Sequence, residues 1–106
     1  MDNNSTTKVD DLVLEAMLPY FTEKYGNSSS KQHSFGWIAE EAVNKSRNQV
    51  AALLNCEAEE IIFTSGATES INIALIGIFN AYKTKGNEII TTTTEHPAVL
   101  ATCKHL

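Results

Sequence analysis

The sequence has little of what marks several broad classes of protein. Lysine and arginine together number eight, are scattered along the 106 residues, and are outnumbered by 13 acidic residues, giving a net charge of −5. This distribution argues against a surface that binds nucleic acid. No apolar run approaches the roughly 18 residues that a membrane-spanning helix needs. The start, MDNNSTTKVDD, is polar and acidic, unlike a secretory signal. These absences predict a cytoplasmic protein that binds neither membrane nor nucleic acid.

Cysteine is also scarce. Cys56 and Cys103 are far apart in the chain and have no metal-ligand spacing. A disulfide is unexpected in a cytoplasmic chain, so both are expected to be ordinary small apolar side chains, and no metal site is predicted. The composition, 42% hydrophobic and 20% charged, is typical of a globular protein, and the length suits one small domain at most.

The first half of the chain is predicted to be helical. Leu14, Met17, Leu18 and Phe21 have helical spacing, which predicts a helix from Asp11 to about Lys24. Pro19 lies inside this range, so a kink or break is expected near Leu18. The polar stretch 25–36, YGNSSSKQHSFG, is typical of a loop, and an apolar stripe predicts a second helix over 37–54.

The second half alternates between two kinds of pattern. Residues 61–64 and 88–94 are rich in β-branched side chains and are predicted to be strands. Between them, Ile71, Leu75 and Phe79 belong to a helical stripe that ends before Gly86. Pro97 suits the first position of a further helix that continues to the end of the sequence. Strand, helix and strand in this order predict a βαβ unit with parallel strands and an α/β fold.

Two polar clusters follow the predicted strands. Because ligands of open parallel sheets bind beyond the carboxyl ends of the strands, SGAT and EHP are expected at one edge of the sheet. Ala67 and Thr68 would begin the following helix, where free N–H groups and the helix dipole attract an anion. The hydroxyls of Ser65, Thr68 and Ser70 could add donors. The alternative is that Ser65 or Thr68 simply caps the helix.

His96 lies at the second of these strand ends. It could stack on an aromatic ligand or move protons, and the alternative is a capping or partly buried histidine. His33 and Arg47 are expected to be mostly solvated. Asn3 and Asn4 could line a polar pocket, although a flexible tail is the simpler interpretation.

Several stretches together resemble one known family. DNNSTTKVD, YGNSSSKQHSFG, IIFTSGATESINIAL and IITTTTEHPAVLATCKHL are similar, in this order, to the N-terminal quarter of cysteine desulfurases. Those are class V aminotransferase-like enzymes of fold type I that use pyridoxal 5'-phosphate (PLP). The resemblance is strongest to the desulfurases of nitrogen fixation and iron–sulfur cluster assembly. It implies that residues 1–106 are one partial domain, part of a large domain with a mainly parallel sheet, cut within a helix.

The resemblance also implies roles for particular residues. Ala67 and Thr68 match the positions that bind the PLP phosphate, and His96 matches the histidine that stacks on the PLP ring and assists proton transfer. The implied reaction takes sulfur from L-cysteine, gives L-alanine, and leaves a persulfide on an enzyme cysteine. The implied partners are an iron–sulfur scaffold or another sulfur acceptor, and a second copy of the enzyme in a homodimer.

The sequence departs from the family in places. Ser28 replaces a proline, one extra residue precedes His33, Trp37 replaces an arginine, and Ser5 and Ile71 replace the usual alanine and asparagine. The family's cofactor-binding lysine and persulfide-forming cysteine match nothing in this sequence, which is therefore expected to be a fragment that is inactive alone. Two alternatives stay open: a non-catalytic binding or assembly module, and another class V enzyme such as a selenocysteine lyase.

Overall fold

The computed structural model describes residues 5–106, so Asn3 and Asn4 lie outside the described residues. The chain divides into two compact units, one ending at Ile61 and the other spanning Ile62–Leu106. The elements of the first unit are α1 (Asp11–Met17), α2 (Pro19–Thr22), α3 (Ser34–Leu54) and a short 3₁₀ turn (Ala58–Glu60). Those of the second are α4 (Ala67–Tyr82) and α5 (Pro97–His105).

The predicted break near Leu18 is confirmed. Leu18 separates α1 from α2, and Pro19 is the first residue of α2, where its missing N–H costs no hydrogen bond. Asp10 begins α1 by accepting the N–H of Leu12 at 2.9 Å. The apolar stripe of this region is largely exposed, with Phe21 at 70%. Its amphipathic pattern therefore has no covering surface among the described residues.

Helix α3 starts three residues earlier than the sequence predicted. The reason is a cap that the periodicity did not reveal: Nδ1 of His33 accepts the N–H of Gly36 at 3.3 Å. His33, expected to be mostly solvated, is exposed but has this structural role. The helix ends at Asn55, whose left-handed conformation (φ 54°) is one that asparagine tolerates better than most residues.

The loop before α3 lies directly against the first turn of that helix. A Cβ on Gly36 would come within 1.9 Å of the Ser30 carbonyl oxygen, so only glycine allows this approach. The indole N–H of Trp37 donates to the Lys31 carbonyl at 2.9 Å, and the Lys31 ammonium pairs with the Glu40 carboxylate. The polar composition predicted the loop correctly as far as His33, but residues 34–36 belong to α3. The contacts above hold this loop in place within the first unit.

The expectation that Arg47 is solvated is wrong. Arg47 is only partly exposed, and its guanidinium donates to the carbonyl of Ile61. The guanidinium therefore ties the middle of α3 to the residue that ends the first unit. Helical spacing places Arg47 on the outer face of α3, and the chain that returns after the 3₁₀ turn brings the Ile61 carbonyl to it.

The two predicted strands are not formed within the described residues. Residues 61–64 and 86–92 are neither helical nor paired, and residues 93 and 94 form a turn closed by the N–H of Glu95 and the carbonyl of Thr92 at 3.4 Å. A strand needs a neighbour to accept and donate its backbone hydrogen bonds. Ile90 is 96% exposed, so this β-branched segment has no packing surface within 5–106 either.

Helices α4 and α5 pack against each other and form the second unit. Ile71, Leu75 and Phe79, all from the predicted stripe of α4, are partly buried. Ile73 and Ile78 on the same helix are 46% and 61% exposed. A helix that is apolar around most of its circumference is typical of a position buried on more than one side. Within residues 5–106, α4 is therefore covered on one side only, by α5.

Candidate functional site

The start of α4 has unpaired backbone donors. Its N-cap is Gly66, and neither Ser65 nor Thr68 makes the capping hydrogen bond that the sequence offered as an alternative. The first backbone N–H with an acceptor is that of Ser70, which donates to the Gly66 carbonyl at 3.1 Å. The N–H groups of Ala67, Thr68 and Glu69 have no acceptor among the described residues. Three free donors at the positive end of a 16-residue helix favour an anion.

The side chains around this turn are mostly paired with each other. The Ser65 hydroxyl donates to Glu69 Oε2 at 2.7 Å, and the hydroxyls of Thr64 and Ser70 lie 2.7 Å apart. The Ser70 hydroxyl also reaches the Gly66 carbonyl at 3.3 Å. The Thr68 hydroxyl has no hydrogen bond within the described residues. Of the three hydroxyls predicted as donors, the structure therefore leaves that of Thr68 free for a ligand.

Glu69 closes the turn from the helix side. Its Oε2 accepts the backbone N–H of Ser65 at 2.6 Å as well as the Ser65 hydroxyl. These donors, first the N–H and then the hydroxyl, stabilise the charged carboxylate and hold the pKa of Glu69 below its ordinary value. The carboxylate is therefore ionised at neutral pH, and the turn stays closed.

Space for a ligand lies beside Gly66. A Cβ built on this residue would meet no atom of residues 5–106 within 4 Å. The backbone of Gly66 is extended, so its conformation does not demand a glycine. What the glycine contributes is the lack of a side chain, which leaves the approach to the neighbouring N–H groups open within the described part of the chain.

His96 occupies the corresponding place at the start of α5. Its Nδ1 accepts the N–H of Ala98 at 3.2 Å, so the capping alternative describes a real contact. An Nδ1 that accepts a hydrogen bond carries a lone pair, and the neutral ring therefore holds its proton on Nε2. The residue is exposed, and the ring face and Nε2–H have no partner among the described residues. Capping and ligand contact are thus compatible, because they use different parts of the imidazole.

A partly buried chain of hydrogen bonds connects the two helix starts. Asn72 Nδ2 donates to the Thr68 carbonyl at 2.8 Å, and the Thr102 hydroxyl donates to Asn72 Oδ1 at 3.1 Å. A carbonyl only accepts, so the amide nitrogen must face Thr68 and the amide oxygen must face Thr102. Thr102 is 5% exposed, and its hydroxyl shares its one proton between Asn72 Oδ1 and the Ala98 carbonyl, which lies 2.8 Å away.

This chain sets the register of α4 against α5. Asn72 lies five residues after Ala67, and Thr102 lies five residues after Pro97. At 1.5 Å per residue, each helix begins about 7.5 Å along its own axis from the shared contact. The sequence predicted Ala67, Thr68 and His96 from strand ends, but in the structure their positions depend on helix packing. The Asn72–Thr102 contact was missed because hydrophobic periodicity does not register a polar pair inside a helix interface.

Other features of the described residues do not compete with this site. Among residues 5–106 there is no group of three potential metal ligands, and no helix is both long and apolar enough to cross a bilayer. Cys56 and Cys103 are free and partly buried. A shallow open depression along α3, lined by Trp37 and seven other residues, includes none of the residues at the starts of α4 and α5.

Comparison with known proteins gives the family. Residues 1–106 match the family described as Aminotransferase class-V. The chain belongs to this family. It is 58% identical over all 106 residues to a protein named cysteine desulfurase IscS from Ehrlichia chaffeensis, and 56% identical to one of the same name from Neisseria gonorrhoeae. In both comparisons the chain spans 26% of the relative's length. The resemblance seen in the motifs is therefore confirmed over the whole chain.

A solved structure gives the fold. A chain described as a NIFS-like protein matches 98% of this chain with a TM-score of 0.88 and 47% identity, over 28% of its own length. This class V chain therefore has the fold of the PLP-dependent enzymes of fold type I. Family membership implies PLP use in general, and the start of α4 provides the kind of anion site that a phosphate group requires.

The Asn72–Thr102 contact should be needed for stability. In the full-length protein that contains this segment, Thr102→Val keeps the side-chain shape but leaves Asn72 Oδ1 without its donor. We expect a loss of about 1 kcal/mol in the free energy of unfolding, since Oδ1 of the half-buried Asn72 then loses its hydrogen bond. Chemical denaturation measures this loss, with the exposed Thr84→Val as the matched control.

A double-mutant cycle tests whether the two residues act together. The pair Asn72→Ala and Thr102→Val should cost less than the sum of the single changes, because either one alone breaks the same bond. Strict additivity, or a Thr102→Val variant as stable as Thr84→Val, would contradict the contact.

Proposed function

We propose that this chain supplies part of the cofactor site of a PLP-dependent cysteine desulfurase. The observation that supports the proposal most is the 58% identity, over every residue of the chain, to a protein named cysteine desulfurase. The free N–H groups of Ala67 and Thr68 agree with it, because they provide the anion site that such a cofactor needs. The chain spans 26% of that relative's length, so the activity is proposed for the full-length protein and not for residues 1–106 alone.

The proposed reaction transfers sulfur without a net change of other atoms. L-cysteine and an enzyme thiol give L-alanine and an enzyme persulfide: the carbon–sulfur bond of cysteine breaks, and a sulfur–sulfur bond forms. When bound, PLP supplies the electron sink for this chemistry. The family resemblance puts the cofactor-binding lysine and the persulfide-forming cysteine downstream of this segment. Residues 1–106 would themselves contribute by binding the phosphate of the cofactor and orienting its ring.

Ala67 and Thr68 are the residues that we propose hold the phosphate. Their backbone N–H groups would donate to it, together with the Thr68 hydroxyl, and the dipole of α4 would favour its negative charge. The described residues fit this role because, among them, the same N–H groups have no acceptor and no atom lies within 4 Å of a Cβ built on Gly66.

We propose that His96 contacts the cofactor ring and moves a proton. With Nδ1 held by the N–H of Ala98, the free Nε2 is the atom that would hold or release the proton. The same hydrogen bond fixes the ring at the start of α5. The imidazole is then oriented before any ligand arrives, which reduces the entropy lost when the ligand binds.

The remainder of the protein is proposed to complete the fold. Residues 61–64 and 88–94 would become strands of a mainly parallel sheet once neighbouring strands accept their backbone hydrogen bonds. The exposed side of α4 would be covered at the same time. A homodimer, an iron–sulfur scaffold or other sulfur acceptor, and a cytoplasmic location are proposed from the family alone.

The activity is tested with the full-length protein. We expect purified protein loaded with PLP to convert L-cysteine to L-alanine, measured as alanine formed, with sulfide released in the presence of a thiol reductant. A strong preference for L-selenocysteine over L-cysteine would favour a selenocysteine lyase instead. Failure to bind PLP or to form alanine would contradict the proposal and favour a non-catalytic assembly module.

A conservative substitution separates the two roles of His96. Asparagine is a good N-cap, so His96→Asn should keep the hydrogen bond to the Ala98 N–H and the thermal stability while removing the ring. We expect kcat to fall about 10²- to 10⁴-fold, the usual contribution of a positioned acid–base group. Steady-state kinetics together with a melting curve measure both effects.

His96→Ala is the companion variant, since it removes both the ring and the cap. It should lose activity to the same extent and also lose stability, by about 1 kcal/mol. Full activity in His96→Asn would show that the histidine is only a helix cap.

A further inference from the structure

We propose that Glu69 is a positioning residue for the phosphate-binding turn, residues 64–70, whose shape it fixes by keeping Ser65 hydrogen-bonded to the first turn of α4. This inference rests on the proposed function, because it assumes that Ala67 and Thr68 receive the phosphate of PLP. Glu69 itself would not touch the cofactor.

Two hydrogen bonds from Ser65 converge on one carboxylate oxygen. Glu69 Oε2 accepts the Ser65 N–H at 2.6 Å and the Ser65 hydroxyl at 2.7 Å. The turn is closed a second time by the hydroxyl pair Thr64–Ser70, at 2.7 Å. Both links join a residue before Gly66 to a residue in the first turn of α4. The backbone on either side of Gly66 is therefore fixed, although Gly66 itself has no side chain to hold it.

The same contacts decide which donors remain for a ligand. Ser65 gives both its N–H and its hydroxyl to Glu69, so neither is available to an anion. The N–H groups of Ala67 and Thr68 and the hydroxyl of Thr68 remain. Without Glu69, the Ser65 donors would be free and the turn could close around an anion in more than one way. Glu69 therefore selects one arrangement of donors in advance, which lowers the entropy lost on binding.

The carboxylate could be expected to oppose a phosphate because both are negative. Its charge is compensated locally, since the two Ser65 donors hold the pKa of Glu69 below its ordinary value and keep the ionised form satisfied. Positioning and repulsion make opposite predictions for removal of the charge, and this difference makes the proposal testable.

The experiment compares two ligands in the full-length apo-protein. Pyridoxal phosphate and pyridoxal differ only in the phosphate group, so the ratio of their dissociation constants reports on the phosphate site. We expect Glu69→Ala to weaken binding of pyridoxal phosphate about tenfold. A change of this size corresponds to the loss of about one hydrogen bond to a charged group. Binding of pyridoxal should stay within about twofold, a free-energy difference too small to reflect a lost hydrogen bond. A merely structural role would weaken both ligands alike.

Two further variants sharpen the result. Glu69→Gln keeps an oxygen that can accept from Ser65 and should bind pyridoxal phosphate with an affinity between those of the wild type and Glu69→Ala. Glu88→Ala removes an exposed glutamate from the same unit and should change neither constant. Tighter binding of pyridoxal phosphate by Glu69→Gln would show that repulsion dominates and would overturn the proposal.

The remaining outcomes distinguish failure of the positioning role from failure of the proposed function. An equal loss of both ligands, or no loss of either, in Glu69→Ala would overturn the positioning role while leaving the proposed function intact. A wild-type protein that does not prefer pyridoxal phosphate to pyridoxal would instead contradict the proposed function itself.

Discussion

The backbone N–H groups at the start of α4 must find an acceptor, and the function of this segment depends on which group supplies it. Helices usually meet this requirement with a capping side chain, and serine and threonine are abundant in TSGATES. Yet the side chains of Thr64, Ser65 and Ser70 bond to one another, to the Gly66 carbonyl or to Glu69, and the N–H groups of Ala67 and Thr68 find no acceptor within residues 5–106. The hydroxyls of Thr64, Ser65 and Ser70 are thus used in shaping the turn, and the free N–H groups favour an external anion as their acceptor.

The packing of α4 on α5 fixes where His96, at the start of α5, lies relative to the start of α4. The Asn72 carboxamide bonds to the Thr68 carbonyl on one side and to the buried Thr102 hydroxyl on the other. The starts of α4 and α5 therefore cannot shift independently without breaking a partly buried hydrogen bond. His96 is in turn fixed by the N–H of Ala98, so a capping contact that looks purely structural also orients the imidazole.

Much of the helical structure could be predicted from the sequence because helices depend on local patterns. Pro19 predicted the break at Leu18, Pro97 predicted the start of α5, and the glycine before Ala67 marked the start of α4. The strands predicted at 61–64 and 88–94 are not formed within residues 5–106, because strand pairing is non-local and composition cannot supply a partner. Arg47 was wrong for a related reason, since its acceptor, the Ile61 carbonyl, lies 14 residues away.

Some residues of the candidate site could likewise be found from local sequence patterns, and others only from the folded chain. Ala67, Thr68 and His96 could be named from turn and helix-start signals together with the family resemblance, and they remain predictions. Glu69 and Asn72 could not be found from periodicity, because one is an exposed residue of a first turn and the other is a polar residue within an apolar helix. Their roles depend on hydrogen-bond geometry, which only the folded chain shows.

A structure of the full-length protein with PLP bound would test the central claim most directly. We expect phosphate oxygens about 2.7–3.2 Å from the N–H groups of Ala67 and Thr68 and from the Thr68 hydroxyl, with the His96 ring against the cofactor ring. A protein carboxylate or side-chain cap on those N–H groups, with the phosphate bound elsewhere, would contradict it.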